Sequence, residues 1–356
     1  EPAKCEAKEF VDHIRDDRRK NVGKHMEVRQ KISGTSPVQK ADNLLQNARV
    51  YSVMDKRQIP PSGDKHDYMS QGPYWWPDTT KKDGKPYIRR DGVRNPEIDQ
   101  ISDSEEMDWM TDDVVVMTEA YQQTKQEKYA AWASRLIDTW FISPATKQSP
   151  HLNFGQGIPG INTGRGIGII ETRLLYKITD TSQKLRGSKS WTKDKDLALK
   201  AWFRSYLTWL LESPIGQDEA DEHNNHGTYY DVQVVNYAIY LGETELAKKQ
   251  LEMTKKRIES QIKADGSQPF EIARTKSLGY CVMNLEGFFL LADFAQQIQV
   301  DLWNYQSPSG ASLAKAYNFL KPYLSHEKQW PYQQIIPFNE KEADYIKKVA
   351  KKKLSN

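Results

Sequence analysis

The sequence has little of what marks several common classes of protein. Its 356 residues include two cysteines, Cys5 and Cys281, which are too few for a disulfide framework or a cysteine zinc site. No apolar run approaches the roughly 18 residues that a membrane-spanning helix needs, so we expect no membrane span. The 51 basic and 48 acidic side chains nearly balance, which argues against nucleic acid as a partner. An acidic partner fits this balance if the basic side chains cluster in one cleft.

Two further absences bear on where the protein works. The chain begins with Glu1-Pro2-Ala3 and not with Met, as a processed chain does once its signal peptide has been removed. It contains no Asn-x-Ser/Thr sequence, which disfavours an N-glycosylated secretory protein of a eukaryote. We therefore expect a bacterial protein that is periplasmic or secreted, and we expect it to be a monomer.

Helical periodicity dominates the sequence. Apolar residues recur at three- and four-residue spacing, and the periodic segments are separated by short polar breaks of the length that joins antiparallel helices. These segments are residues 38–54, 109–124, 128–141, 197–211, 229–241, 245–262, 283–300 and 311–324. Alternating strand patterns are almost absent. We therefore predict an all-α fold, an (α/α) toroid or an incomplete (α/α)6-7 barrel, that forms a single catalytic domain over residues 1–356.

Long non-helical stretches interrupt this scaffold at residues 59–98, 143–166 and 221–227. Long loops in a compact domain are usually functional or disordered, and these are rich in Trp, Tyr, Gly and Asn, which are not the residues of disorder. We expect them to line a cleft. The basic tail at residues 341–353 is interpreted as a solvated terminal helix without a function of its own.

Two polar clusters precede apolar helices and are candidate catalytic sites. Asn225 and His226 lie in the first cluster, where a helix start presents free N–H groups that can meet an anion. An ordinary Asn cap followed by a solvated loop is the structural alternative. Arg274 and Tyr280 lie in the second cluster, and alone they could be structural, with Arg274 pairing with Glu271 and Tyr280 packing in the core.

Further residues are candidates for substrate binding. The loop that contains Tyr74, Trp75 and Trp76 offers flat apolar faces for sugar rings, although packing in a core is the alternative for two adjacent tryptophans. Arginines near this loop supply cations for carboxylates, and a glycine-rich stretch further on leads into a helix that could bring polar side chains to the cleft. The remaining candidates are Arg89, Arg90, Asn162, Arg165, Tyr229 and Gln268.

Together these motifs resemble the alginate lyase family, whose members have an α/α toroid or barrel fold and break mannuronate-rich alginate or related glucuronans. The resemblance rests on Asn225 and His226 at a helix entry, on Arg274 and Tyr280 about fifty residues later, and on the segments 72–78 and 86–92. The Arg-to-Tyr spacing is six residues here and seven in the better-known members. A related uronate glycan such as glucuronan therefore stays open beside alginate.

β-Elimination from a 4-linked uronate independently explains these residue types. The enzyme must remove the proton at C5, stabilise the enediolate that forms on the carboxylate, and protonate O4 as it leaves. Asn225 and Arg274 suit the carboxylate because uncharged and cationic donors oppose the growing negative charge. Tyr280 is the predicted base and then acid, with its phenolate favoured by the neighbouring guanidinium and imidazole. His226 assists or replaces it. In mannuronate and glucuronate the C5 proton and O4 lie on the same ring face, so one tyrosine can serve both steps.

Three other interpretations compete with a lyase. A glycoside hydrolase needs two carboxylic acids across the glycosidic bond, and a noncatalytic glycan-binding protein needs only the aromatic loop. A zinc site could use His223 and His226 with a neighbouring acid, but we predict no metal and no cofactor, because no other dense group of ligands is visible. The carboxylates available to a hydrolase include Asp221, Glu222, Asp231 and Glu271.

Overall fold

Antiparallel helices build the protein as an all-α (α/α) toroid. The computed structural model describes residues 36–354, so Cys5 and the first part of the predicted domain lie outside the described residues. The α-helices are α1 (Pro37–Gln46), α2 (Asp103–Thr124), α3 (Glu127–Ile137), α4 (Tyr176–Lys184), α5 (Lys193–Glu212), α6 (Pro214–Ala220), α7 (Asn225–Leu241), α8 (Thr244–Gln261), α9 (Pro269–Ile272), α10 (Ser277–Gln297), α11 (Leu313–Leu324) and α12 (Asp344–Lys353). Single 3₁₀ or π turns occur at Val53–Asp55, Pro96–Gln100, Asp138–Ile142, Gly166–Thr172 and Glu340–Ala343.

Helices α7 and α10 form the centre of the molecule and pack against each other. Most residues of both helices are buried, which is why their sequences are apolar on more than one face. Among the described residues, α10 is also the one helix long and apolar enough to cross a membrane, but 72% of its apolar window is buried inside the protein. It is therefore a core helix. Gly242, in a left-handed conformation with φ of 79°, ends α7 and starts the turn into α8.

Two small sheets hold the cleft loops, although the sequence predicts these stretches as irregular. Strand β1 (Met69–Gln71) pairs in parallel with β4 (Phe154–Gly157), and β2 (Trp75–Trp76) pairs antiparallel with β3 (Ile88–Arg89). Strands of two to four residues are too short to show an alternating pattern. The β1–β4 pairing joins the first long loop to the second, so the backbone hydrogen bonds hold the two loops together.

Helix boundaries differ from the prediction at the two places that carry the candidate site. Helix α7 begins at Asn225 and α10 at Ser277, four and six residues before the predicted starts at 229 and 283. Asn225, His226 and Tyr280 therefore lie in helical first turns. Helix α1 ends at Gln46, well before residue 54. The basic tail does form a helix, α12, but Ile346 and Ala350 are buried against the core, so one of its faces is packed.

Candidate active site

The N-terminus of α7 holds the first two predicted catalytic residues. Asn224 caps the helix by accepting a hydrogen bond from the backbone N–H of His226 at 3.0 Å. Asn225 is 1% exposed, and its backbone N–H and side-chain amide both donate to the carboxylate of Glu271, at 2.6 and 2.9 Å. The helix cap considered as the structural alternative is thus present. Asn224 provides it, whereas Asn225 donates to the buried carboxylate of Glu271.

His226 is oriented by the buried carboxyl group of Glu219. Its Nδ1 lies 2.8 Å from Oε1 of Glu219, whose side chain is fully buried. No described residue bonds to Nε2 of this histidine, so that nitrogen is available for a substrate. Burial raises the pKa of Glu219, and His226 opposes the rise. A carboxyl group that fixes the tautomer and direction of an imidazole is typical of catalytic histidines.

Arg274 forms a two-pronged ion pair with Asp91 of the first cleft loop. Its Nε and terminal nitrogen donate to the carboxylate at 3.1 and 2.8 Å. Burial acts to raise the pKa of Asp91, but the hydrogen bonds and charge of Arg274, with hydrogen bonds from Thr275, outweigh it and hold the pKa well below its usual range. The expected alternative, a pair between Arg274 and Glu271, does not form within 4 Å. The backbone N–H of Arg274 donates to the Glu271 carbonyl at 3.0 Å, and the Glu271 carboxylate accepts from Asn225, so Glu271 links the two clusters.

Tyr280 lies directly beneath Arg274 and against the aromatic loop. The guanidinium carbon is 4.0 Å from the centre of the phenol ring, and the hydroxyl is 2.7 Å from the hydroxyl of Tyr74. Burial raises the pKa of Tyr280, Tyr74 raises it further, and Arg274 opposes both. The predicted lowering of this pKa is therefore wrong in sign: Arg274 acts as expected, but burial and Tyr74 outweigh it, and no hydrogen bond joins Tyr280 to His226.

The tandem tryptophans each face a guanidinium. Arg165 lies 5.8 Å from the ring of Trp75 and Arg90 lies 5.3 Å from the ring of Trp76. Both indoles are only partly buried, so they line the loop and do not form a core. The exposed Arg89 side chain pairs with Asp91 at 2.9 Å. These arginines and indoles form the loop side of the cleft.

Arg165 has an unusual environment for a cation. It donates to the backbone and side-chain oxygens of Gln156 at 3.1 and 3.0 Å, and no carboxylate in the described part of the chain lies within 4 Å of it. Burial lowers its pKa, and the charge of Arg89 lowers it further. A guanidinium that is desolvated without a charged partner favours the arrival of an anion.

On the other side of Tyr280 lies a cavity of about 370 Å³. Tyr74 and Tyr280 form its edge, and Lys276, Arg173 and Glu286 contribute charged groups to its walls. The nitrogen of Lys276 lies 5.0 Å from the ring of Tyr74. Lys276 lies between Arg274 and Tyr280 but was not among the predicted site residues, and Arg173 belongs to no distinctive motif.

Three predicted substrate-binding residues use their polar side-chain atoms in hydrogen bonds within the protein. Gln268 is 1% exposed and is bonded through both ends of its amide, to the Cys281 carbonyl and to Asn284, so its assignment to the substrate is wrong. Tyr229 is 2% exposed and donates to the Met283 carbonyl at 3.0 Å, which leaves only its ring at the cavity. Asn162 is exposed, and its side-chain oxygen accepts from the Ile158 N–H.

The competing interpretations receive little support from the geometry. Asp231 is fully buried and paired with Arg257 at 2.9 Å, and Glu271 is engaged with Asn225, so these two acids do not face each other across a cleft. His223 packs edge-on against Phe270 at 4.6 Å and does not join His226. Within residues 36–354 no three His, Cys, Asp or Glu side chains are grouped as metal ligands.

A cleft with aromatic and basic side chains in an (α/α) toroid is suited to an acidic glycan, and comparison with known proteins identifies the family. The alginate lyase family model matches residues 52–330. The chain is 38% identical to an alginate lyase from Bacteroides ovatus, with a TM-score of 0.83 over 92% of this chain and 90% of that chain. The chain therefore belongs to the alginate lyase family, as its motifs predict.

Two more distant structures share the fold. A histidine-to-alanine variant of alginate lyase A1-III complexed with tetrasaccharide is 15% identical, with a TM-score of 0.54 over 85% of this chain and 76% of that chain. Alginate lyase A1-III from Sphingomonas species A1 is 14% identical, with a TM-score of 0.50 over 82% and 77%. Comparison with curated proteins gives no significant match.

Proposed function

We propose that the protein cleaves mannuronate-rich alginate by β-elimination, with Tyr280 exchanging the protons. The observation that carries this proposal is the position of Tyr280, which lines the cavity with its ring beside the Arg274 guanidinium and its hydroxyl 2.7 Å from the Tyr74 hydroxyl. Membership of the alginate lyase family supports polysaccharide lyase activity on alginate. The substrate polymer is too large and too charged to cross a membrane, which supports our proposal of a periplasmic or secreted enzyme.

The proposed reaction gives each group a defined role. The uronate carboxylate is assigned to Arg274 and to the second amide N–H of Asn225, the one not used by Glu271; both donors stabilise the negative charge as the C5–H bond breaks. The electron pair of that bond forms the C4–C5 double bond while the C4–O4 bond breaks. Tyr280 takes the C5 proton as a base and returns a proton to O4 as an acid. Glu271 and Asp91 hold Asn225 and Arg274 in place and stay outside the chemistry.

The raised pKa of Tyr280 has a direct consequence for this mechanism. At rest the hydroxyl keeps its proton, which suits the transfer to O4 but makes the phenolate required at C5 the rarer form. Arg274 is the neighbour that favours the phenolate. His226, held by Glu219 with Nε2 free, is the alternative base. We propose Tyr280 for both steps because O4 and the C5 proton of mannuronate share one ring face.

Ultraviolet absorbance on a panel of poly-mannuronate, poly-guluronate, glucuronan and hyaluronan tests the proposal. Elimination leaves a 4,5-unsaturated uronate that absorbs in the near ultraviolet, and we expect the fastest increase with poly-mannuronate. Reducing ends formed without this absorbance would identify a hydrolase and contradict elimination.

Arg274→Ala and Asn225→Ala test the carboxylate site. Each should lower turnover by about 100- to 1000-fold, as the loss of one donor to a developing oxyanion does. Arg186→Ala is a matched control, because it removes an arginine from an exposed pair with Asp196 outside the cleft and should leave turnover unchanged. Near-normal turnover in a folded Arg274→Ala, Asn225→Ala double variant would reject the assignment of both residues.

A further inference from the structure

The cavity beside Tyr280 is closed on one side by a segment outside the region that matches the family. We call residues 331–342 the C-terminal strap; the family match ends at residue 330. The strap is fastened to the start of α10 by hydrogen bonds from Leu278 N–H to the Gln334 side chain at 3.0 Å and from Ile335 N–H to the Thr275 carbonyl at 2.9 Å. Its residues Gln334, Ile336, Pro337, Phe338, Asn339 and Glu342 line the cavity. This chain therefore builds one wall of the cavity from its own C-terminal residues.

Two cations face this cavity without an ion partner. Neither Lys276 nor Arg173 lies within 4 Å of a carboxylate in residues 36–354. Lys276 extends over the face of Tyr74, and Arg173 donates to the Ile170 carbonyl at 3.2 Å, which leaves most of its N–H groups unused. Cations in a partly enclosed cavity lose hydration, and an anion that enters the cavity restores favourable interactions.

Two carboxylates line the same cavity, so its walls carry negative as well as positive charge. Glu286 is partly buried, and burial raises its pKa, with Arg173 opposing the rise and Glu342 adding to it. Glu342 belongs to the strap. A sugar carboxylate in the cavity is thus attracted by Lys276 and Arg173 and repelled by the two glutamates, whose oxygens can accept hydrogen bonds from sugar hydroxyls. The volume of about 370 Å³ lies near the lower end of small-ligand pockets, roughly 300–1,000 Å³, and suits a short stretch of a sugar chain.

We propose that this cavity is a subsite for the uronate next to the scissile bond, with its carboxylate bound by Lys276 and Arg173 and its position limited by Glu342 of the strap. This inference rests on the proposed function, since it assigns one part of the substrate to one wall of the same cleft. It makes Lys276 and Glu342 specificity-determining residues with opposite effects on an anionic sugar.

Lys276→Gln and Glu342→Gln test the subsite with opposite expected signs. Lys276→Gln should raise KM for oligomannuronates about 10-fold, the effect of losing one hydrogen bond to a charged group, with little change in kcat. Glu342→Gln keeps an acceptor but removes the repelling charge, so KM should fall. Lys248→Gln, on the exposed face of α8 where Lys248 contacts Glu245, is the matched control and should change neither constant.

Calorimetry separates failure of the subsite from failure of the proposed function. Saturated oligomannuronates of two to six residues are titrated into Tyr280→Phe, with and without Lys276→Gln, and the added substitution should weaken binding about 10-fold. Equal affinity with and without Lys276→Gln, or a fall in affinity on Glu342→Gln, would overturn the subsite. Absence of elimination by the unsubstituted enzyme on every uronate glycan would overturn the proposed function, and the calorimetric result would still decide whether Lys276 binds uronates.

Discussion

Tyr280 lies between groups that act on its proton in opposite directions. Burial and the Tyr74 hydroxyl favour the neutral phenol, whereas the guanidinium of Arg274 favours the phenolate. A residue that must first accept and then donate a proton needs a pKa that is not too far from the working pH. Burial and Tyr74 together outweigh Arg274, so the neutral phenol is favoured and the phenolate needed at C5 is the rarer form.

Tyr74→Phe should therefore move the pH profile. Tyr74 raises the pKa of Tyr280 through its charge and its hydrogen bond, so removing the hydroxyl lowers that pKa and increases the phenolate fraction at a given pH. The rise of kcat/KM with pH should shift to lower pH than in the unsubstituted enzyme. Tyr305→Phe, which removes a hydroxyl outside the cleft, is the matched control. An unchanged or alkaline-shifted profile for Tyr74→Phe, measured from pH 6 to 10, would show that Tyr280 is not the base.

The four predicted catalytic residues could be selected from sequence because their types match the chemistry and their motifs match a family. Their partners could not. Asp91 is 183 residues from Arg274, and an acidic residue in a loop rich in charge gives no signal of such a contact. Glu219 is seven residues from His226, but the short helix α6 that carries Glu219 was not predicted. The raised pKa of Tyr280 depends on burial, which only the folded chain defines.

At the scale of elements, helical periodicity located the long helices but not their first turns. Asn225 and Ser277 are polar residues that are buried by tertiary hydrogen bonds, and a hydrophobic pattern cannot recognise them as helical. The strands of the cleft loops were missed for a related reason, because each is too short to alternate. Both failures include the candidate site, because polar residues begin its two helices and two-residue strands hold its aromatic loop.

The second cleft loop depends on a close approach of two glycine backbones. A Cβ on Gly168 would lie 2.5 Å from the carbonyl group of Gly155, so the strand that carries Gln156 and the 3₁₀ turn after Arg165 could not keep their separation. Gly168→Ala should lower the free energy of unfolding by about 1–3 kcal/mol, the usual cost of overpacking. The measurement is denaturant unfolding.

Gly279→Ala is the matched control for that substitution. A Cβ at Gly279 meets its nearest atom at 3.7 Å, and alanine is favoured over glycine inside a helix such as α10. Its stability should be equal to or higher than that of the unsubstituted protein. Equal stability of Gly168→Ala and Gly279→Ala would contradict the packing account.

At the scale of the whole molecule, the toroid was predicted because its helices repeat a pattern of apolar faces and short breaks over most of the chain. The helices supply a stable base, and α7 and α10 at its centre begin with the candidate catalytic residues. The loops then place Trp75, Arg165 and Tyr74 above these residues. Long-range pairing of loops depends on contacts far apart in sequence, so their arrangement could not be predicted.

The most direct test of the whole account is Tyr280→Phe assayed on poly-mannuronate by ultraviolet absorbance. The substitution keeps the ring beneath Arg274 and removes the one atom that transfers protons, so thermal stability and oligosaccharide binding should change little. Turnover should fall by at least about 100- to 10,000-fold, the usual contribution of acid–base catalysis. A folded Tyr280→Phe enzyme with near-normal turnover would contradict the mechanism and make His226 the leading base.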